Sequence, residues 1–277
     1  MDHSIYDKRR YPIVEVREGY GEWVRTYEQT VHDEMDLRLL ERLRTVDWSA
    51  PRSVLDLACG TGRIGAWVRR RCPTAAIDGV DITPEMLEVA RGRGIYRTLR
   101  IADISSTGLP AATYDLCTQS LADEHLPDLR PLYREVARVT QAAGTFVMVG
   151  YHPQFLMAGV PTHFDRAPGE PVTIRSYVHL LSDHVKAAQA VGWSLLEMDE
   201  GLVDEAWLRK KPKWDAYRGL PISFSMVWRQ NPPRQGPPGD AGRRSPIPQP
   251  AAPGASPGAP SARRAGGPPR RDASGAP

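Results

Sequence analysis

Val54-Leu55-Asp56-Leu57-Ala58-Cys59-Gly60-Thr61-Gly62-Arg63 is the stretch that decides the fold. A short apolar run ends in a turn of small residues, and an amphipathic segment follows. The pattern reads as a buried strand, a loop and a helix. Gly60 and Gly62 lack Cβ atoms, so a ligand can lie against the backbone there. The open N–H groups at the next helix start favour a polar or anionic group. Gly60 to Gly65 also spells Gly-x-Gly-x-x-Gly, the pattern of dinucleotide-binding turns, which is weak evidence alone.

Outward from this stretch, strands and helices alternate. Strand Ser53–Leu57 leads to helix Arg63–Arg71, and strand Ala75–Val80 ends in Asp81. Pro84 opens the next helix, a first-turn position that tolerates proline. Strand Arg97–Ile101 ends at Asp103. Strand Tyr114–Cys117, helix Leu129–Thr140 and the apolar strand Gly144–Gly150 follow. This alternation predicts a parallel sheet with helices on both faces and its ligand edge at the strand C-termini. Residues 151–173 break the rhythm and are expected as a long functional loop with His152, His163 and Phe164. A helix is expected over Ser176–Ala190, a strand over Trp193–Glu197, a charged insertion over 200–221 and a last strand over Ile222–Trp228. Before the sheet, Glu18 to Leu43 reads as helical. Tyr20, Trp23, Val24 and Tyr27 lie on one face at i, i+3, i+4, i+7.

Asp81 closes the second strand 21 residues after Gly60. A carboxylate there can accept from both ribose hydroxyls, a device shared by nicotinamide and other nucleoside cofactors. Ile82 and Met86 would give apolar contact to a base.

The string around Gly60 resembles motif I of class I S-adenosylmethionine (SAM) dependent methyltransferases, in which an acid stands four residues before the first glycine. That resemblance covers about residues 18–230 and implies a Rossmann-like α/β fold. Its sheet would have seven mostly parallel strands, with an antiparallel last strand. It also implies SAM as cofactor, held by Asp56, Ala58, Gly60, Gly62, Asp81, Ile82, Met86, Ala102, Asp103 and Ile104. Asp103 would accept from the adenine amino group. Tyr114-Asp115-Leu116-Cys117-Thr118-Gln119-Ser120-Leu121 is similar to the fourth motif, where Gln119 and Ser120 would flank the sulfonium. Leu132–Val139 and Ala143-Gly144-Thr145 resemble the helix and turn before the fifth strand, with Ala143 where a glycine is usual.

SAM brings its own electrophile, so positioning supplies most of the rate, and an acceptor that loses a proton needs a base. His125, just past the fourth strand, is the candidate base, with a structural histidine as the alternative. Tyr20 and Tyr27 are expected to line the site, and Glu28 is a candidate orienting carboxylate. Trp23, His152, His163 and Phe164 are expected around the acceptor. The histidines lack metal-ligand spacing, so no metal is expected. Gly159–Asp165 and Arg175–His184 are similar to methyltransferases of type 11/25. Among these the chain resembles the actinomycete enzymes that methylate indole C3. O- or N-methylation of another natural-product acceptor is the alternative, and a catalytically silent SAM-binding regulator a third reading. Asn231-Pro232-Pro233-Arg234 resembles an amide-methyltransferase motif but stands far from the fourth strand and lacks the aromatic.

The organisation expected is a helical cap over 1–49, a SAM-binding core over 50–230 and a disordered tail over 231–277. The tail holds 13 of the 26 prolines and a charge of +5, against −2 for the remainder. The body is not basic overall, which gives no case for nucleic-acid binding. Arginine outnumbers lysine 31 to 5, a bias associated with GC-rich bacterial genomes. Cys59, Cys72 and Cys117 make no disulfide framework and read as small buried residues. No basic-then-apolar leader and no apolar run of 18 residues is present, so a cytoplasmic protein without membrane contact is expected. The partner expected is a small, indolic acceptor, and a homodimer is left open.

Overall fold

The computed structural model describes residues 1–31 and 34–232. The tail expected over 231–277 lies outside the described residues from 233 onward. Ten strands are described: β1 Ile13–Val14, β2 Ser53–Leu57, β3 Ala76–Asp81, β4 Thr98–Ile101, β5 Tyr114–Ser120, β6 Thr140–Tyr151, β7 His163–Asp165, β8 Pro171–Ile174, β9 Trp193–Leu202 and β10 Pro221–Gln230. The helices are α1 Val16–Thr30, α2 Leu37–Arg42, α3 Arg63–Arg71, α4 Pro84–Gly92, α5 Leu129–Val139, α6 Pro153–Met157, α7 Leu181–Gln189 and α8 Glu205–Lys210.

The main sheet has seven strands in the order β4-β3-β2-β5-β6-β10-β9. β2 pairs in parallel with β3 and β5, β3 with β4, and β5 with β6. The last strand, β10, enters antiparallel between β6 and β9. This is the Rossmann-like arrangement expected, with the reversed strand last in sequence.

Alternate residues of the central strands supply two separate cores, because successive strand side chains point to opposite faces. Leu55, Leu57, Phe146 and Met148 pack with Tyr133, Val136 and Ala188 of α5 and α7. Val54, Val147 and Val149 pack with Leu39, Ile64, Trp67 and Val68 of α2 and α3. A sheet covered on both faces requires near-continuous apolar strands, as in Ser53–Leu57 and Phe146–Val149. Right-handed crossovers put the C-termini of β2, β3, β4 and β5 along one edge.

The segment over 151–173 is not an irregular loop. It contains α6, β7 and β8, and β8 pairs antiparallel with β7 and parallel with β1 near the N-terminus. These strands are two to four residues long, too short to show a period; β7 and β8 pair locally, and β1 meets β8 across 160 residues of sequence. Their inner residues Val14, Phe164, Val172 and Ile174 pack with Trp23 of α1, so the N-terminal cap is a helix on a small sheet. Two further boundaries differ. The helical stretch over 18–43 is two helices, α1 and α2. α7 begins at Leu181, because residues 176–178 run extended and bond to the backbone of Met1, His3 and Glu124.

Candidate functional site

Two cavities meet beneath α1. The smaller, about 190 Å³, runs along the C-terminal edge of the sheet. Ala58 and Gly60 after β2, Asp81, Ile82 and Thr83 at the end of β3, Ala102, Asp103 and Ile104 after β4, and Ser120 to Ala122 after β5 line it. Met86 of α4 closes its floor, and Tyr20 and Tyr27 of α1 cover it. Four loops from four strand ends converge because the strands are parallel.

Gly60 has φ +51°, and a Cβ there would meet no atom within 4 Å, so its backbone faces open space. Its N–H donates to Asp81 Oδ2 at 2.8 Å, and the Thr83 N–H donates to Asp81 Oδ1 at 2.8 Å. These two bonds fix the carboxylate and leave further lone pairs turned to the cavity. Burial holds the Asp81 carboxyl above its usual range, while the two N–H donors oppose that. Asp103 accepts from the Ser105 N–H at 2.7 Å and stands at the cavity rim. A fixed carboxylate at one end, a second at the rim, the apolar Ile82, Met86 and Ile104, and a bare glycine backbone fit a nucleoside bearing a sulfonium side chain.

Three expected cofactor contacts, Asp56, Gly62 and Gln119, sit elsewhere or play a different part. Asp56 is buried behind the glycine loop and does not line the cavity. Its Oδ2 accepts from the Tyr96 hydroxyl at 2.6 Å and its Oδ1 from Thr118 at 3.0 Å. Burial pushes this carboxyl up to about 6, against the pull of those two bonds. Gly62 is the N-cap residue of α3. Gly65 is small because a Cβ there would stand 2.2 Å from the Tyr96 hydroxyl oxygen. One tyrosine thus accounts for part of the literal glycine fingerprint. Gln119 is 1% exposed within β5, neither amide atom has a hydrogen-bond partner among the described residues, and it lines neither cavity. Ser120, one residue on, does line the smaller one.

The larger cavity, about 870 Å³, is walled by Tyr20, Trp23 and Tyr27 of α1, Tyr151 of β6, His163 and Phe164 of β7, and Trp207 and Trp214. Trp23 stacks on Phe164 with centroids 5.5 Å apart and planes 9° off parallel, and on Tyr20 at 5.7 Å. Tyr20, Tyr27 and Leu121 line both cavities, so the two spaces abut there. Leu121 and Ala58, directly after β5 and β2, have φ +50° and +52°. Left-handed backbone at non-glycine residues costs about 1–3 kcal/mol each and collects at functional sites.

His125 lines the smaller cavity from a 3-10 turn after β5 and meets Tyr20, which lines both cavities. Its Nδ1 lies 2.8 Å from the Arg175 carbonyl oxygen, which can only accept, so Nδ1 carries the hydrogen. Burial lowers its pKa to about 4, so the ring is neutral at ordinary pH. Nε2 then holds a lone pair, and the Tyr20 hydroxyl donates to it at 2.9 Å. Burial, with the nearby Glu124 charge adding to it, pushes the Tyr20 phenol well above its usual range.

Glu28 and His152 are placed outside both cavities. Glu28 accepts from Thr61 of the glycine loop and, at 2.8 Å, from Arg93. It ties α1 to the loop rather than facing an acceptor. His152 caps α6 through Gln154 N–H and pairs with Glu200 at 3.2 Å. Trp23, His163 and Phe164 do line the larger cavity. Among the described residues no group of three His, Cys, Asp or Glu could hold a metal ion. No described helix is long and apolar enough to cross a membrane. Sequence reasoning missed Glu124, Tyr151, Trp207 and Trp214 as cavity residues. Glu124 had one usable signal, an acid beside the candidate histidine.

Comparison with known proteins agrees with this geometry. A family profile described as a methyltransferase domain matches residues 55–148. The chain is 31% identical over 119 residues to the demethylmenaquinone methyltransferase of Thermus thermophilus, covering 40% of this chain and 54% of that protein. It is 28% identical over 174 residues to methyltransferase GfsG of Streptomyces halstedii, 61% of each. The chain spans about half the length of the curated relatives it matches. A SAM-dependent methyltransferase from Mesorhizobium loti superposes with a TM-score of 0.57 at 21% identity, over 71% of this chain and 98% of that one. The sheet order, the glycine loop at its edge and the profile match agree: residues 55–148 match the methyltransferase-domain family, in a fold shared with solved SAM-dependent methyltransferases.

Proposed function

We propose that this protein transfers a methyl group from SAM to a small aromatic acceptor, with an indole carbon, C3, as the receiving atom. The observation behind this reading is the pair of abutting cavities with the Tyr20–His125 pair at their junction. The smaller cavity suits the cofactor. The larger one, aromatic on most sides, suits a planar acceptor whose reacting atom reaches the first cavity beside Tyr20 and Leu121.

When bound, SAM supplies an electrophilic methyl on a cationic sulfur. The chain has the remaining tasks. Asp81 and the Gly60 backbone hold the nucleoside end. Tyr20, Trp23, Tyr27 and Phe164, packed on one another, form one aromatic wall against the acceptor and exclude water. Their ring faces also favour a nearby cation, worth about 0.5–2 kcal/mol.

The proton is handled at Tyr20 and His125. A buried histidine with a lowered pKa is a weak base. It suffices here because attack from indole C3 leaves a cationic ring whose N–H is strongly acidic. As the attack proceeds, that proton passes to the Tyr20 oxygen while the Tyr20 hydroxyl hydrogen passes to His125 Nε2, so proton transfer accompanies methyl transfer. The Arg175 carbonyl, holding Nδ1–H, stabilises the resulting imidazolium.

The test is incubation with methyl-labelled SAM and a panel of indoles, phenols and aromatic acids, with product mass and NMR locating the methyl. A C3-methylated indole supports the reading. An O- or N-methyl product moves the acceptor atom. SAM binding without turnover on any acceptor makes the protein a SAM-binding regulator.

A further inference from the structure

Lys211 and Lys213 follow α8 and line the larger cavity but not the smaller one. Lys211 is half-buried and Lys213 exposed. The Lys211 Nζ lies 5.3 Å from the Trp214 ring centroid and 5.8 Å from that of Trp207, so two aromatic faces hold the ammonium without neutralising it. It is not one of the sealed, unpartnered polar atoms of the described residues, so it opens onto the cavity it lines. Neither lysine has a carboxylate partner among the described residues, whereas Lys210 pairs with Glu34 and Arg166, on the same cavity, with Glu22, each at 2.6 Å.

The cavity offers little negative charge of its own to offset the pair. Burial and the neighbouring Asp123 push the Glu124 carboxyl up to about 8, so it is protonated at neutral pH. Burial holds the His163 ring below its usual pKa against the Pro161 carbonyl; the charges of Arg9 and Lys211 add to the lowering, and Asp165 opposes them with a smaller effect. Burial, with the Lys213 charge adding to it, also holds the Lys211 ammonium below the ordinary lysine range. A half-buried cation beside a second cation is completed by an anion.

We propose that the aromatic acceptor carries a carboxylate, and that Lys211, with Lys213 beside it, receives that carboxylate while the ring lies against Tyr20, Trp23 and Phe164. The inference rests on reading the larger cavity as the acceptor site. At about 870 Å³ that cavity has the size of sites that take drug-sized ligands, which leaves room for a side chain beyond a bicyclic ring. Because neither lysine lines the smaller cavity, the pair serves the acceptor and not the nucleoside.

The probes are indole-3-acetate and indole-3-propionate, each against its own primary amide, which keeps the ring, its N–H and the chain length and removes the charge. Each is titrated by calorimetry into the full chain loaded with S-adenosylhomocysteine. The wild type is expected to bind at least one acid about tenfold or more tightly than its amide, the scale of a hydrogen bond between charged groups. Lys211→Met abolishes that preference and Lys211→Arg retains it, with melting temperature and S-adenosylhomocysteine affinity unchanged. If Lys211→Met does not fold, Lys213→Met reads the same charge at an exposed position, and the preference shrinks in it. Equal binding of acid and amide at both chain lengths, or a preference that survives the lysine substitutions, overturns the proposal and leaves the aromatic acceptor site standing. Binding of neither acids nor amides overturns the acceptor-site reading, and the proposal with it. Failure to bind S-adenosylhomocysteine overturns the cofactor reading instead.

Discussion

Replacing His125 with asparagine tests the proton-handling part of the proposed reaction most directly. The asparagine amide can still donate to the Arg175 carbonyl, as Nδ1 does at 2.8 Å. It cannot reach the Tyr20 hydroxyl, which now donates to Nε2 at 2.9 Å. The substitution therefore keeps the local backbone anchor and removes the proton acceptor. A positioned base contributes about 10²–10⁴-fold, so single-turnover methyl transfer should slow by that factor. Affinity for S-adenosylhomocysteine should stay close to wild type, because the cofactor-side contacts at Gly60 and Asp81 are untouched. Tyr20→Phe should reproduce the loss, since it severs the same path one atom earlier. The pH dependence gives an independent reading. His125 has a folded pKa near 4, below its unfolded value. Its contribution to stability is therefore full above about pH 6.5 and is lost as pH falls through 4. The total is about 3 kcal/mol, from 1.36 kcal/mol for each pH unit between the two values. Rapid-mixing rates should accordingly show no acid limb near 6.5, and His125→Asn should flatten the loss of stability between pH 6.5 and 4. Turnover near wild type in both variants would refute the reasoning, leaving His125 as a packing residue.

Three further outcomes are expected. Asp81→Ala should weaken SAM binding in calorimetry by about 1.5–3 kcal/mol, the scale of a lost hydrogen bond to a charged group, and unchanged affinity would separate Asp81 from the cofactor. Tyr96→Phe should lower stability in urea denaturation by about 1–3 kcal/mol, because it leaves the buried Asp56 Oδ2 without its 2.6 Å donor; a neutral result would mean that the ring alone matters. Deleting residues 233–277 should leave melting temperature and turnover nearly unchanged, since that proline-rich segment offers few apolar side chains to bury.

The glycine loop, the strand–helix alternation and the acids after β3 and β4 were legible in the chain itself. Each is a local feature. A strand needs an apolar run, a loop needs small residues, and a parallel sheet repeats them at short intervals. The cofactor edge follows, because parallel strands must end together. Asp81, Ile82, Met86 and Asp103 reached one cavity for that reason alone.

Other assignments depended on contacts between distant residues. Asp56 and Gly62 carry the same sequence signal as Gly60, yet Tyr96, 40 residues beyond Asp56, takes up the carboxylate and fills the space beside the glycines. Gln119 and Ser120 are adjacent, and only strand alternation with the end of β5 puts one in the sheet and the other at the cavity. Glu28 lies beside Tyr27 on α1, but a helix turns 100° per residue, so Tyr27 covers the cavities while Glu28 meets Thr61 and Arg93. The small sheet of β1, β7 and β8 has no local signature, because strands this short are stable only when paired. That pairing sets Phe164 under Trp23 and seats the Arg175 carbonyl against His125. The sequence places a histidine after the fourth strand; only the fold supplies the carbonyl that fixes its tautomer, the tyrosine that meets its lone pair and the buried acid beside it.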